Sequence, residues 1–151
     1  MYNTALRITG EQEDAEDVLQ EAFVSAFQNL ESYRADAAFG AWLKRIVINK
    51  ALNLVQKSKK DLMMVSESET EAEFEEPITE SEPAYSVETI KKAINELPTG
   101  FRTVLSLYLF EGYDHKEISQ IMNITESTSK TQYKRAKEKL KLILNKEVNY
   151  G

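Results

Sequence analysis

Between Ser127 and Arg135 the chain reads STSKTQYKR. Short hydroxyls alternate with cations: Ser127, Thr128, Lys130, Thr131, Lys134 and Arg135. No nucleophile here stands with a base and an orienting group, so bond making is not on offer. The chemistry is recognition. Ser and Thr are short enough to approach base edges, while Lys and Arg neutralise phosphates. The same residues also describe the solvated, Lys-rich face of an ordinary helical hairpin. The choice depends on the elements that hold them.

Ser129, Tyr133, Ala136 and Leu140 recur at helical spacing, which puts them on an inner face and turns the six polar residues outward. Upstream, Asp114 precedes Glu117 by three residues, the spacing of a capping box. Ile118, Ile121 and Met122 then face inward. Asn123 tolerates a left-handed turn nearly as well as glycine, and Thr125 caps a last helix running to about Lys146. A short helix, a three-residue turn and a longer helix make a helix-turn-helix, whose second helix enters the major groove with its N-terminal turns on the bases. Two amphipathic helices lead into it. Val87, Ile90, Ala93, Ile94 and Leu97 mark one, stopped by Pro98; Phe101, Val104, Leu105, Tyr108 and Leu109 mark the other, closed by Gly112.

The N-terminal part is also helical. Gly10 ends a first helix as a left-handed cap. Ala15, Val18, Leu19, Ala22, Phe23, Ala26, Phe27 and Leu30 follow the i, i+3, i+4, i+7 rule for four turns. Acids crowd the start, where the helix dipole favours them. After a loop, Glu31 to Ala37, a third helix carries Phe39, Trp42, Leu43, Ile46 and Val47 on one face and runs to about Lys57. Lys44, Arg45, Asn49, Lys50, Asn53 and Lys57 lie elsewhere on its surface. Trp42 suits a core; aromatics beside Lys and Asn also stack on unpaired bases. The residues leave both readings open.

The chain has 151 residues and a net charge of −6, unevenly placed. Residues 1–61 hold 8 Lys/Arg and 9 Asp/Glu; residues 62–86 hold 8 Glu and no basic residue; residues 87–151 hold 11 Lys/Arg and 8 Asp/Glu. The acidity therefore belongs mostly to Asp61–Ser86, a Glu-, Ser- and Thr-rich stretch with two prolines that reads as a disordered linker between two lobes. There is no cysteine and one histidine, His115, so neither a disulfide framework nor a metal site is expected. No apolar run approaches a membrane span, and no basic n-region leads an apolar stretch, which points to a soluble cytoplasmic protein. No catalytic residues, cofactor or small-molecule substrate are expected.

At the level of whole segments, DAEDVLQEAFVSAFQNLESY and FGAWLKRIVINKALNLV resemble region 2 of the sigma-70 family, in its extracytoplasmic-function (ECF) branch. ELPTGFRTVLSLYLFEGYDHKEISQIMNITESTSKTQYKRAKEKLK resembles that branch's region 4. The resemblance implies an all-α protein of two small helical domains: region 2 over 1–60, the linker over 61–86 and region 4 over 87–151. It implies a transcription-initiation subunit whose partners are core RNA polymerase, promoter DNA and, commonly in the family, an anti-sigma factor. Matched positions assign Asp14, Asp17, Gln20, Glu21 and Phe23 to the polymerase contact, with Phe23 equally open to a core role. They assign Trp42, Lys44, Arg45, Asn49, Lys50 and Asn53 to the melted −10 element, and Ser127, Thr128, Lys130, Thr131, Lys134 and Arg135 to the −35 element. Three departures stand out. Met1 falls inside the family's usual first element, so region 2 is expected to be N-terminally incomplete. Ser129 stands where a branched apolar residue is common, with Tyr133 expected to fill the space. Asn123 stands where Gly is common. The alternative reading is a stand-alone helix-turn-helix regulator that binds an operator without polymerase.

Overall fold

The computed structural model describes residues 1–58 and 85–150. The linker reading of 61–86 lies outside them, except for Tyr85 and Ser86. Seven α-helices form among the described residues: α1 (Tyr2–Thr9), α2 (Gln12–Gln28), α3 (Phe39–Ser58), α4 (Val87–Glu96), α5 (Thr99–Leu109), α6 (His115–Met122) and α7 (Glu126–Tyr150), with a 3₁₀ turn at Leu30–Ser32.

The ends of these helices follow local chemistry. Gly10 takes φ 79° and its N–H donates to Leu6 O, closing α1. Ser86 Oγ accepts from the Thr89 N–H at 3.2 Å, opening α4. Asp114 and Glu117 form the reciprocal capping box of α6, at 2.8 and 3.2 Å. Asn123 sits at φ 55° and ψ 48°, in the left-handed region. Thr125 Oγ1 accepts from the Thr128 N–H at 3.0 Å.

In the first lobe, α1, α2 and α3 all pack against one another. The expected apolar stripe of α2 divides by size. Ala15, Val18, Ala22 and Ala26 are buried, whereas Phe23, Phe27 and Leu30 are 42%, 74% and 49% exposed. Small side chains let neighbouring helices approach closely, which leaves the large ones at the rim and beyond. The helix also stops at Gln28 rather than reaching Leu30, because Asn29 turns back to bond Ser25 O through both its backbone N–H and its side-chain Nδ2.

The second lobe has its own core of Ile94, Leu97, Phe101, Leu105 and Ala136. Every residue of α5 from Phe101 to Leu107 is buried. A helix buried all round must have neighbours on all sides. One side of α5 faces α4 and α7. The other supplies Val104 and Leu107 to a second cluster with Ala5, Ile8, Val18, Val47, Ile48, Ile118 and Ile121. That cluster draws on both lobes, so the two are docked through α1 and α5. Each fully buried side chain of this size adds about 1.5–3 kcal/mol.

Candidate functional sites

The second helix of the helix-turn-helix presents Ser127, Thr128, Lys130, Thr131 and Lys134 to solvent. Two of its hydroxyls are held in place. Thr128 Oγ1 accepts from Thr125 Oγ1 at 2.7 Å, and Thr131 Oγ1 donates to Ser127 O at 3.0 Å. Lys130 lies 3.6 Å from Glu126 one turn earlier, both side chains more than half exposed, a weak surface pair easily exchanged for a phosphate. Arg135 is half-buried and engaged with the protein, at the flank of this face rather than its centre. On the opposite side Ser129 has no exposed surface, and its Oγ lies 2.8 Å from Nδ1 of His115, the first residue of α6. The His115 ring stacks on Tyr108 at 4.7 Å, Tyr133 closes the group at 4.4 Å from Tyr108, and Lys137 Nζ lies 4.6 Å over Tyr133. The side chain that meets Ser129 is thus His115, with Tyr133 packed on the His115 and Tyr108 rings; burial raises the Tyr133 phenol pKa, with the neighbouring Tyr108 adding to the shift.

On α3, Trp42, Arg45, Asn49 and Asn53 are three, four and four residues apart and share one face, with Lys50 beside it. Asn49 and Asn53 are exposed; Trp42, Arg45 and Lys50 are half-buried. Trp42 closes an aromatic group with Tyr33 and Phe39, at 5.2 and 5.6 Å between centroids. Phe39 is 47% exposed. The loop feeding this group is pinned by Tyr33 Oη, which donates to Ala37 O at 2.6 Å, and contains Ala35 at φ 52°, a conformation alanine rarely adopts. Lys44 does not join the set. It lies about 200° round the helix from Trp42, and its Nζ contacts Glu111 Oε2 at 3.0 Å.

On α2, Asp17, Gln20, Glu21 and Phe23 are exposed and Asp14 is half-buried. Val24, 55% exposed, lies between the acids and the exposed Phe27. The outer surface of α2 is therefore apolar and acidic together, a combination suited to a partner helix carrying cations. Val24 was not legible from periodicity, because it falls off the α2 stripe.

The family model for sigma-70 region 2 matches residues 1–61, and that for sigma-70 region 4 matches residues 88–140. The chain belongs to the sigma-70 family. It is 33% identical to the ECF RNA polymerase sigma factor SigM of Bacillus subtilis (strain 168), over 99% of this chain and 91% of that one. It is 32% identical to the ECF RNA polymerase sigma-E factor of Escherichia coli (strain K12), over 83% of this chain and 71% of that one. These likenesses place it in the ECF branch. Among solved structures, the sigma factor RpoE of Bartonella quintana, in complex with the anti-sigma factor NepR, shares the fold. It gives a TM-score of 0.65 at 22% identity, covering 95% of this chain and 89% of that one.

In this sigma factor two further residues were passed over in the sequence. Arg102 is 6% exposed. Its guanidinium donates to Arg7 O at 2.6 Å, Ile8 O at 3.2 Å, and Asn95 O and Leu97 O at 3.3 Å each. These carbonyls end α1 of region 2 and α4 of region 4, where helix dipoles favour a cation. Burial lowers the Arg102 pKa from its ordinary value, yet an arginine stays charged. Gly10 leaves room for it: a Cβ there would lie 2.8 Å from Nη2. Glu111, its side chain 3% exposed, is the counterpart. Its carboxylate accepts from Thr4 at 2.5 Å and from Arg7 at 2.9 Å, and pairs with Lys44. Burial pushes this carboxyl up, but the hydrogen bonds from Thr4, Lys44 and Arg7, with the Lys44 charge, outweigh it and hold the group below its ordinary value. The available signal was a lone charge at either end of an apolar run, FRTVLSLYLFE. Among the described residues there is no cluster of His, Cys, Asp and Glu able to hold a metal, and no helix long and apolar enough to cross a membrane.

Proposed function

We propose that this sigma factor directs core RNA polymerase to promoters, reading the −35 element as duplex through α7 and holding unpaired −10 bases on the face of α3. One observation carries the reading: two matched sigma regions stand in order on one chain, and region 4 ends in an exposed hydroxyl-and-lysine face at the start of α7. Ser127 and Thr131 contact base edges, while Lys130, Lys134 and the flanking Arg135 serve the phosphate backbone. In region 2, Trp42 with Tyr33 and Phe39 forms the stacking surface, and Arg45, Asn49, Lys50 and Asn53 supply hydrogen bonds and charge. Lys44 is left to Glu111. The polymerase contact falls on Asp14, Asp17, Gln20, Glu21 and Phe23, extended by Val24 and Phe27. The role is one of DNA-binding regulation rather than catalysis, and the site of action is the cytoplasm, where polymerase works. An anti-sigma factor is a further partner, by analogy with the Bartonella complex.

The deciding experiment is run-off transcription with purified core polymerase, with and without this chain. Promoter-directed product only in its presence is expected. Tight, specific duplex binding by the chain alone, with no stimulation of polymerase, would replace this reading with the stand-alone regulator.

A further inference from the structure

The lysines of α7 continue beyond the turns that read a groove. Lys130, Lys134, Lys137, Lys141 and Asn145 are four, three, four and four residues apart, so they form one exposed row along the helix. Only the N-terminal turns of a recognition helix meet the bases, and Lys137 and Lys141 lie past them. Like charges one turn apart repel. Among the described residues the row has a single ion pair, Lys130 with Glu126 at 3.6 Å, while Lys137 lies over the Tyr133 ring. An anion laid along the row would relieve the repulsion.

The far end of the row is also where the acidic stretch of the chain is anchored. Tyr85 Oη donates to Asn145 Oδ1 at 3.1 Å, across 60 positions. Residues 62–86 hold 8 Glu and no basic residue. Counted back from Tyr85 at ~3.3 Å per residue, Glu82, Glu80 and Glu76 can reach at most ~10, ~16 and ~30 Å. Counted from Asn145 at ~1.5 Å per residue, Lys141, Lys137, Lys134 and Lys130 lie ~6, ~12, ~16 and ~22 Å along α7. The reach of the carboxylates thus covers the row. A tether this short gives the carboxylates an effective concentration in the millimolar range.

We propose that the lysine row of α7 is a docking surface for the chain's own acidic segment, with Glu75, Glu76, Glu80 and Glu82 standing in for phosphates along it. Lys130 and Lys134 then serve two anions in turn, the segment in the free factor and DNA in the promoter complex. Ser127 and Thr131 carry no charge and take no part, so the segment competes with every duplex sequence alike. Its effect is a uniform lowering of duplex affinity, which keeps the free factor off DNA at large. The contact stands independently of the proposed function, whereas its consequence at promoters rests on that reading.

Carbodiimide coupling of the full chain, mapped by mass spectrometry, reads the contact directly, because it joins a lysine amine only to a carboxylate it touches. In the free chain, links from Glu75, Glu76, Glu80 and Glu82 should fall on Lys134, Lys137 and Lys141. Lys139 is equally exposed but about 200° round the helix from Lys141, and should stay unlinked. Adding a duplex of random sequence should suppress the links. Changing the four glutamates to glutamine should tighten binding of that duplex; if the row is occupied in ~90% of free chains, the gain is about tenfold. It should shrink as salt screens the pairing. Lys137→Gln with Lys141→Gln removes positive charge and yet should also tighten duplex binding, with no further gain when the glutamines are already present. Three results would each overturn the docking: links spread equally onto Lys139, links formed between chains in a mixture of isotope-labelled and unlabelled protein, or duplex binding weakened by the two lysine changes. If the links and affinities behave as stated but no promoter-directed transcript forms, the docking stands and the proposed function fails. Promoter-directed transcript without row-specific links removes the docking alone.

Discussion

His115 Nδ1 and Ser129 Oγ meet at 2.8 Å across the helix-turn-helix, joining the first residue of α6 to a fully buried position of α7. The bond satisfies a hydroxyl that burial would otherwise penalise, and the Tyr108 and Tyr133 rings fix the imidazole plane. Together they set the rotation of α7, and hence which side chains look outward.

Ser129→Ala therefore should cost about 1 kcal/mol, the usual net value of a lost hydrogen bond. Ser129→Val adds bulk against His115 and Tyr133 and should cost about 1–3 kcal/mol by overpacking. Urea unfolding would measure both. Restoration of stability by Val combined with His115→Ala would show that crowding, rather than the hydroxyl, limits the site.

Gly10→Ala should destabilise the chain by about 1–2 kcal/mol through its positive φ alone. The added Cβ would also displace the Arg102 guanidinium, which four carbonyls hold in place. Thermal unfolding should drop, and the inter-lobe distance should broaden. An unchanged distance alongside a lowered midpoint would limit the effect to backbone strain.

Acid should loosen the joined lobes. The Glu111 carboxyl is depressed below its ordinary value of 4.5 when docked, so its contribution is complete above that value. Protonation removes the contribution as the pH falls from there through the docked pKa. Inter-lobe distances measured against pH should be flat near neutrality and lengthen in that acid window. Glu111→Gln should remove this dependence.

Salt separates phosphate contacts from base contacts on α7. If Lys130 and Lys134 each meet one phosphate, replacing both with alanine should reduce the slope of log affinity against log salt by about 2. Affinity should fall similarly for all duplex sequences. Ser127→Ala should leave that slope unchanged and alter the preference among −35 sequences. A slope unaltered by the double lysine change would place the DNA elsewhere.

Helix boundaries were readable from residue order because caps act over three or four residues. Asp114 with Glu117, Asn123, Thr125 and Gly10 all take the geometry their types suggest. The inner face of α7 was equally plain, since Ser129 and Ala136 are buried at the expected spacing. Periodicity was a poorer guide on α2, where it marks a stripe without telling which member meets a neighbour closely enough to be excluded from water. Phe27 belongs to the stripe and is 74% exposed.

Residue order alone thus specified the α-helical elements, the helix-turn-helix with its polar outward face, and the acidic stretch between two basic or neutral parts, because these depend on near neighbours and on composition. It could not assign Lys44, Arg102 or Glu111. Their partners lie far along the chain: Arg102 reaches Arg7 across 95 positions and Glu111 reaches Thr4 across 107. Only folding brings the end of α1 against α5, and only there does a lone charge in an apolar run find the groups that neutralise it.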